Sequence, residues 1–329
     1  MRYYIYPLRF DTPAHFGAAE QGGKLEQTKT EFASDTLFGA LCCELAGDWE
    51  RLGRLVDDTR EGALLLSDLF PYVRRGNELC LYLPKPLLQP VSQEKRGQAL
   101  EDAKRESSQR KKQKKLAYVR ASRMKEYLSA LSKGEGFSDS LDMGREFLTE
   151  RVNMRGDEPL PYYVAAFSFS ADAGLYLLAG VRDEGAAAEL SRLLVQLGLS
   201  GVGGKRSSGY GKFRLEGEPI ALPNGGADAE AVAAMLADEA ATWQMTLSHL
   251  LPSPEEAGML SEGFYNLQKR GGFVTPLSGE YEQKKNSVYM LTAGSCLKNR
   301  LAGRVVSLGE SGGHDVLRAG KGLYVGLAV

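Results

Sequence analysis

The chain has 329 residues, more than one small domain needs, and its 43% hydrophobic and 25% charged residues are the proportions of a globular protein. Its formal net charge of −1 argues against a uniformly basic nucleic-acid-binding protein. We find no signal peptide, no apolar run near the roughly 18 residues of a membrane span and no CxxC pair among the four cysteines. We therefore expect a cytoplasmic protein without a membrane partner, a disulfide framework or structural zinc.

Charge is distributed unevenly along this sequence. Residues 101–126 hold ten Lys or Arg against four Asp or Glu, whereas residues 216–262 hold nine acidic residues and no Lys or Arg. Such segregation indicates one basic surface and another surface that faces elsewhere. The basic segment 104–125 is either a solvated helix face or a contact with RNA or an acidic neighbour, and the sequence leaves both open.

The first third of the chain predicts a strand, a helix and a hairpin. Residues 2–10 alternate apolar and polar side chains, as strands do. Ser34 or Asp35 can N-cap an amphipathic helix over residues 36–53. Two apolar runs on either side of residues 74–77 predict a β-hairpin.

The middle of the chain begins with a charged insertion. Residues 93–134 have helical propensity but no apolar stripe until their end, which is typical of an inserted segment. Residues 162–170 and 174–181 predict a second strand pair. Residues 184–199 predict an amphipathic helix, and residues 210–217 predict the strand that follows it.

These elements predict an α+β fold with two domains. Apart from an insertion over residues 93–160, residues 1–216 follow the order β-α-β-β…β-α-β, which is that of a ferredoxin-like fold. Residues 217–240 are rich in Gly, Pro and Ala and are expected to be a connection. Residues 241–329 contain several short strand patterns and are expected to form a second, strand-rich domain.

The most unusual stretch of the sequence is GVGGKRSSGYGKF, residues 201–213, which contains five glycines and three basic residues. A P-loop would need glycine where Leu199 stands, and Ser or Thr where Arg206 stands. The dinucleotide-binding fingerprint would also need glycine at 206. Both motifs run from strand to helix, whereas this stretch runs from helix to strand, so no nucleotide cofactor is predicted.

What remains for this stretch is a cradle for a polyanion. Glycines let backbone N–H groups converge on phosphate oxygens, while Lys205, Arg206 and Lys212 supply positive charge. Ser207 and Ser208 can donate hydrogen bonds to phosphates or 2′-hydroxyls, and the ring of Tyr210 could stack on a base. The alternative is a surface loop, or a tight helix-to-strand connection, that binds no ligand.

Five stretches together carry a resemblance to a known family. They are GVGGKRSSGYGKF, SDTLFGALC, ERVNMRGDEPLPYYVAAFSF, KKQKKLAYVRASRMKEYLSAL and SLGESGGHDVLRAGKGLYVGL. The glycine-rich loop before the last strand resembles the signature of the RAMP superfamily of CRISPR-associated proteins. The combination resembles, more closely, the RAMP subunit of type III-A (Csm) effector complexes that holds the 5′ handle of the CRISPR RNA (crRNA).

This resemblance implies two tandem ferredoxin-like (RRM-like) domains, a scaffold role without catalysis or a cofactor, and three partners. The partners are the crRNA 5′ handle, the large polymerase- and cyclase-like subunit, and the adjacent backbone RAMP subunit. It also implies a set of RNA-binding residues. These are His15, Lys24, Ser34, Arg151, Asn153, Arg155, Gly201, Gly203, Gly204, Lys205, Arg206, Ser207, Ser208, Gly209, Tyr210 and Gly211. Among them, Ser34 would offer a hydroxyl and helix N–H groups to phosphate, and residues 151–155 would lie in a β-hairpin thumb.

Several alternatives stay open at this point. His15 lies where RAMP endoribonucleases keep a general base or acid, so the chain could be a metal-independent crRNA-processing enzyme, but no second histidine lies nearby in sequence. Asp35 is explained by helix capping, although backbone RAMP subunits use an aspartate to cut RNA. Tyr3, Tyr4 and Tyr6 form either a stacking surface or part of the core. The equivalent type III-B subunit is a weaker possibility.

Overall fold

The computed structural model describes residues 1–17, 25–89, 113, 115–274 and 283–328. These residues form a mixed α/β structure with antiparallel sheets. The described α-helices are α1 Ser34–Glu44, α2 Trp49–Glu61, α3 Met124–Ser132, α4 Glu184–Ser200 and α5 Ala227–Ala237. Within the described ranges, no helix has the length and apolar character needed to cross a membrane.

The strands follow in chain order. The first ten are β1 Arg2–Phe10, β2 Leu64–Leu66, β3 Phe70–Arg75, β4 Glu78–Pro84, β5 Tyr118–Arg120, β6 Gly144–Arg155, β7 Glu158–Phe169, β8 Ala173–Val181, β9 Phe213–Leu215 and β10 Ile220–Ala221. The others are β11 Trp243–Thr246, β12 Leu267–Arg270, β13 Phe273–Val274, β14 Gln283–Lys284, β15 Val288–Leu291, β16 Cys296–Leu297, β17 Gly303–Ser311, β18 His314–Lys321 and β19 Tyr324–Leu327.

The central sheet has the strand order β10-β1-β8-β3-β4-β5, with β2 also paired to β8 and β9 also paired to β1. The two innermost long strands, β1 and β8, run antiparallel, from Arg2 opposite Val181 to Leu8 opposite Leu175. Each is followed by a helix, α1 after β1 and α4 after β8, and the two helices contact each other. This is the order of elements predicted for the first part of the chain.

The alternation of side chains along β1 divides the core between the two faces of the sheet. Tyr4, Tyr6 and Leu8 pack with helices α1 and α4, whereas Ile5 packs on the other face with Phe70. Tyr4 and Tyr6 are buried, so they belong to the core rather than to a stacking surface. Each fully buried apolar side chain of this kind contributes about 1.5–3 kcal/mol to folding.

The C-terminal part of the chain adds a three-stranded sheet, β16-β11-β19, and shares one core with the central sheet. Met245 and Val325 from these strands lie in the same apolar cluster as Phe70. The segment expected to be a connection, residues 217–240, contains β10, which pairs with β1, and helix α5, which packs on β19 and β4. The domain boundaries at 216 and 240 stay a prediction.

Two expected elements differ from those observed. The helix expected over residues 36–53 is two helices, because Gly47 adopts a left-handed φ of 98° and the Asp48 side chain accepts from the Arg51 N–H at the start of α2. Helix α1 begins after Ala33, without a side-chain cap. Strands β7 and β8 were expected to pair, but β7 pairs with β6 over its whole length while β8 lies in the central sheet.

Candidate nucleic-acid interface

The glycine-rich loop, residues 201–211, connects helix α4 to strand β9. Gly201, Gly203, Gly209 and Gly211 all have positive φ angles, and so does Lys205, at 60°. A short 3₁₀ turn over Arg206–Ser208 forms the tip of the loop. The backbone therefore changes direction several times within eleven residues. The positive φ angles at its glycines are ones that residues with a Cβ atom rarely adopt.

What lies against Gly203 and Gly204 is the chain's own segment of residues 13–16, whereas Gly201 and Gly211 lie against the backbone of the loop itself. A Cβ atom on Gly203 would come within 2.5 Å of the His15 carbonyl oxygen, and one on Gly204 within 2.8 Å of the His15 ring. The Gly204 N–H donates to the His15 carbonyl at 2.8 Å, and the Gly211 N–H donates to the Pro13 carbonyl at 2.8 Å. The glycines thus let the loop pack tightly on the chain after β1.

The segment of residues 13–16 does not bond the N–H groups at the tip of the loop. The N–H groups of Lys205, Arg206 and Ser207 have no hydrogen-bond partner among the described residues, and the side chains of residues 206–208 are exposed. Lys205 in the left-handed region followed by a right-handed turn is the backbone pattern of an anion-binding nest. The predicted cradle is therefore confined to the tip rather than spread along all five glycines.

The hairpin β6–β7, hereafter the thumb hairpin, meets the loop through two cation–ring contacts. The Arg151 guanidinium lies over the Tyr210 ring at 5.2 Å and donates to the Tyr210 hydroxyl at 3.2 Å. The Lys205 ammonium lies over the Tyr162 ring at 5.2 Å. Because Arg151 and Tyr162 are directly opposite each other on the two strands, one face of the hairpin covers the loop. Tyr162 was not among the predicted residues.

The burial of Tyr210 changes the role expected for it. Its side chain is 8% exposed, and its ring carries the Arg151 guanidinium, so it is not free to stack on a base. It positions Arg151 instead. Asn153 and Arg155 share the Arg151 face of the strand because residues two apart point the same way, and both are exposed farther along the hairpin.

The opposite face of the thumb hairpin carries several large exposed apolar side chains, together with the exposed Glu150. Leu148, Val152 and Met154 are 58%, 57% and 60% exposed, and Tyr163 on the neighbouring strand is 46% exposed. Such a set of large apolar side chains on one face of a two-stranded ribbon is typical of an interaction surface. The hairpin therefore has one polar, basic face towards the loop and one largely apolar face away from it.

His15 lies beneath the loop, and its ring is buried. It is 4% exposed, and its Nδ1–H donates to the Ala165 carbonyl of β7 at 2.7 Å, while its backbone carbonyl accepts from Gly204. It therefore ties the loop to the base of the thumb hairpin. No other histidine is near it, because His249 and His314 belong to other parts of the described structure.

Ser34 does not present its polar groups to a ligand. Its N–H donates to an Asp68 carboxylate oxygen at 2.8 Å, and its hydroxyl oxygen accepts from the His249 N–H at 2.9 Å. The side chain is buried. The expected phosphate contact at the start of α1 is therefore replaced by contacts within the protein.

The Asp35 side chain is also bound by groups within the protein, and it does not cap helix α1. Arg270 binds it with two hydrogen bonds of 2.8 and 3.0 Å, and Arg318 binds it as well. Burial opposes ionisation of Asp35, but the charges of Arg270, His249 and Arg318 outweigh it and lower the pKa of this carboxyl. A buried, doubly paired carboxylate of this kind has no free oxygen for a proton transfer or a metal ion.

His249 completes this buried polar cluster. Its Nδ1 bonds an Asp68 oxygen and its Nε2 bonds the Gln268 side-chain oxygen, each at 2.8 Å. Burial alone would lower the pKa of His249, but the Asp68 carboxylate, with a smaller contribution from Asp35, raises it. The cluster joins the start of α1 to strands of the C-terminal part.

Lys24 and residues 104–112 and 114 of the basic segment 104–125 lie outside the described residues. Among the described residues, Glu78, Cys80 and Asp228 come close enough to hold a metal ion. However, Arg120 binds both carboxylates, and Asp228 also accepts from backbone N–H groups, so an arginine already occupies this place.

Comparison with known proteins found similar sequences over nearly the whole chain. Residues 239–327 match the family model described as the CRISPR Csm4 C-terminal domain. Over 328 residues the chain is 31% identical to the CRISPR system Cms protein Csm4 of Mycobacterium tuberculosis, and 97% of each chain is covered. Over 333 residues it is 29% identical to the protein of the same name from Streptococcus thermophilus, with 100% of both covered.

Two crystal structures of complexes contain chains with a similar fold. One is a Csm3–Csm4 subcomplex of the type III-A CRISPR-Cas interference complex, with a TM-score of 0.62, 15% identity and 100% coverage of both chains. The other is a Csm1–Csm4 cassette in complex with AMPPNP, with a TM-score of 0.59, 19% identity and coverage of 100% of this chain and 99% of that one. At such identities the likeness concerns the fold. It is the near-complete alignment at 31% identity that establishes that the chain belongs to the Csm4 family of CRISPR proteins.

Proposed function

We propose that this chain is a non-catalytic scaffold subunit of a type III-A CRISPR ribonucleoprotein and that it clamps the 5′ handle of the crRNA. The observation that carries the proposal is that the loop tip and one face of the thumb hairpin lie side by side. The tip of the glycine-rich loop offers unpaired N–H groups with Lys205 and Arg206, and the basic face of the thumb hairpin stands beside it. Together they form a basic cleft suited to a phosphate backbone.

The scaffold role is supported by the surroundings of the two candidate catalytic residues, Asp35 and His15. Asp35 is buried between Arg270 and Arg318, and the Nδ1–H of His15 is bonded to a backbone carbonyl. Metal-free RNA cleavage needs a base for the 2′-hydroxyl and an acid for the leaving oxygen. No second histidine lies beside His15 among the described residues to complete such a pair, and processing of crRNA by His15 is the second candidate function.

The partners follow from the family. Relatives of this fold have been crystallised as a Csm3–Csm4 subcomplex and as a Csm1–Csm4 cassette. We infer that this chain likewise contacts an adjacent backbone subunit and a large polymerase-like subunit in the cytoplasm. The exposed apolar face of the thumb hairpin fits a protein neighbour, because its basic face is turned to the loop. We also propose, as the family resemblance implies, that both parts of the chain derive from ferredoxin-like units.

The proposal is tested by binding and cleavage of labelled crRNA in EDTA. The double variant Lys205→Ala/Arg206→Ala should bind about tenfold more weakly and reduce the slope of log affinity against log salt by about 2, because two phosphate contacts are lost. The matched control is Arg54→Ala/Arg60→Ala, which removes the same charge from helix α2. It should leave both quantities near those of the wild type.

The same assay separates the two candidate functions. A scaffold leaves the RNA intact in every variant. If the wild type cuts the RNA and His15→Ala does not, the chain is a processing endoribonuclease. If the loop variant and the α2 control bind equally well, the loop is not the RNA site.

A further inference from the structure

A second hairpin, formed by the ladder β12–β15 and the shorter ladder β13–β14 beyond it, carries exposed aromatic and basic side chains. Tyr289 and Phe273 are 60% and 56% exposed. Lys269 lies directly opposite Tyr289, and Lys284 lies directly opposite Phe273. Each exposed ring is thus paired across the strands with a lysine.

The described residues of this hairpin carry a one-sided charge. Residues 267–274 and 283–291 contain four Lys or Arg and no Asp or Glu. The acidic residues Glu280 and Glu282 lie in the part of the sequence outside the described residues. Arg270 is buried and paired with Asp35, so the positive charge beside the exposed rings comes from Lys269 and Lys284.

The inner face of the second hairpin is fixed to the rest of the protein. Gln268 bonds His249, Arg270 bonds Asp35, and Met290 is fully buried. These anchors alternate with the outward Lys269 and Tyr289, as strand geometry requires. The outer face is therefore held on a rigid base, so little conformational entropy is lost when a ligand stacks on it.

The inner face of the second hairpin contacts the start of α1. Arg270 holds Asp35 and Thr36 at the first turn of α1. Just before that helix, the Phe32 ring lies 5.1 Å from the Phe16 ring, and Phe16 in turn packs against Gly203. A short chain of contacts thus connects the second hairpin to the glycine-rich loop.

We propose that the outer face of the second hairpin, with Lys269, Phe273, Lys284 and Tyr289, is an additional contact surface for single-stranded RNA. This inference rests on the proposed function and extends its RNA site to the C-terminal part of the chain. Exposed rings interleaved with lysines suit stacked bases and their phosphates. The cores of protein interfaces are instead depleted in lysine, which favours RNA over a protein occupant.

The test compares aromatic variants of the full chain in binding to labelled crRNA that contains the 5′ handle. Tyr289→Ala should weaken binding about tenfold, since one base loses the aromatic ring on which it stacks. Tyr289→Phe should bind like the wild type, because the ring is kept. Trp49→Ala is the matched control, since Trp49 is 68% exposed on helix α2, and it should have no effect.

Cross-linking and assembly decide between the remaining outcomes. With 4-thiouridine in the handle, we expect cross-linked peptides from the second hairpin. If Lys205→Ala/Arg206→Ala weakens binding and Tyr289→Ala does not, this inference is overturned while the proposed function stands. If neither weakens binding, the proposed function itself fails. If Tyr289→Ala binds RNA normally but no longer co-purifies with the neighbouring subunits, the face is a protein interface and the inference is wrong.

Discussion

Removal of the Asp35 carboxylate should be among the most destabilising single changes in this protein. Its side chain is fully buried, and it neutralises Arg270 and Arg318, whose side chains are 10% and 9% exposed. Asp35→Ala would leave two buried guanidinium groups without a counter-charge. Breaking a buried ion pair from one side costs about 3–5 kcal/mol. That is a large part of the about 5–15 kcal/mol that holds a typical domain folded.

The assay is urea unfolding of the full chain, with a surface ion pair as the control. Asp58 pairs with Arg182 at the surface, so Asp58→Ala should cost about 0–1 kcal/mol. The triple change Asp35→Leu/Arg270→Met/Arg318→Leu should recover most of the loss, because replacing a whole buried ionic cluster with apolar side chains is often neutral. If Asp35→Ala costs no more than Asp58→Ala, the ionic cluster does not stabilise the fold as argued.

The pH dependence of the Asp35 contribution has a definite sign. The pKa of Asp35 in the folded protein lies below its ordinary value of about 3.9, so the stabilisation is complete at neutral pH. It is lost as the pH falls below about 4 and through the folded pKa. The difference in unfolding free energy between wild type and Asp35→Ala should therefore shrink in acid. A difference that stays constant down to pH 2 would contradict the ionic origin.

The remaining predictions concern the loop and the buried histidine. Gly203→Ala should destabilise the protein by about 1–3 kcal/mol more than Gly209→Ala, because both positions have positive φ but only Gly203 lies against His15 and Phe16. Urea unfolding of the two variants measures this difference. Equal losses of unfolding free energy would contradict the packing argument. Because the pKa of His249 is raised in the folded state, its contribution is complete below about pH 6.5 and is lost as the pH rises through the folded pKa. The unfolding free energy of the wild type should therefore fall above pH 6.5 relative to His249→Gln, and parallel pH curves would show that His249 is not held charged.

Elements that depend on local patterns were predictable from the sequence. Strand β1 was expected over residues 2–10 and is observed as Arg2–Phe10, although Tyr4 to Leu8 are all buried, so the strand is covered on both faces rather than on one. The hairpin β3–β4 and helix α4 were also found, since a turn signal or a 3.6-residue apolar period lies within each. The hairpin β6–β7 was expected only from the family resemblance, because the outer half of this ribbon has no buried face and so leaves no alternating pattern.

The polar side chains at the start of α1 were misjudged because their partners are distant in sequence. Ser34 bonds Asp68, 34 residues away, and Asp35 bonds Arg270, 235 residues away. A sequence window around α1 shows only a Ser and an Asp before a helix, which is the pattern of a cap. The partners appear only when the C-terminal strands are folded back, so one sequence could not distinguish a cap from a buried ionic cluster.

The glycine-rich loop was in part predictable from the sequence and in part not. Its composition predicted a polyanion cradle, yet three of its glycines, Gly201, Gly203 and Gly211, are demanded by close approach of the chain's own backbone. These two requirements are connected. Because residues 13–16 satisfy the N–H groups of Gly204 and Gly211, the loop is held rigid, and its unpaired donors are concentrated at the tip, beside Lys205. A preorganised tip binds phosphate without the entropy cost of ordering a mobile loop. Under the proposed function, the glycines would therefore support RNA binding indirectly, by fixing the backbone that presents the donors.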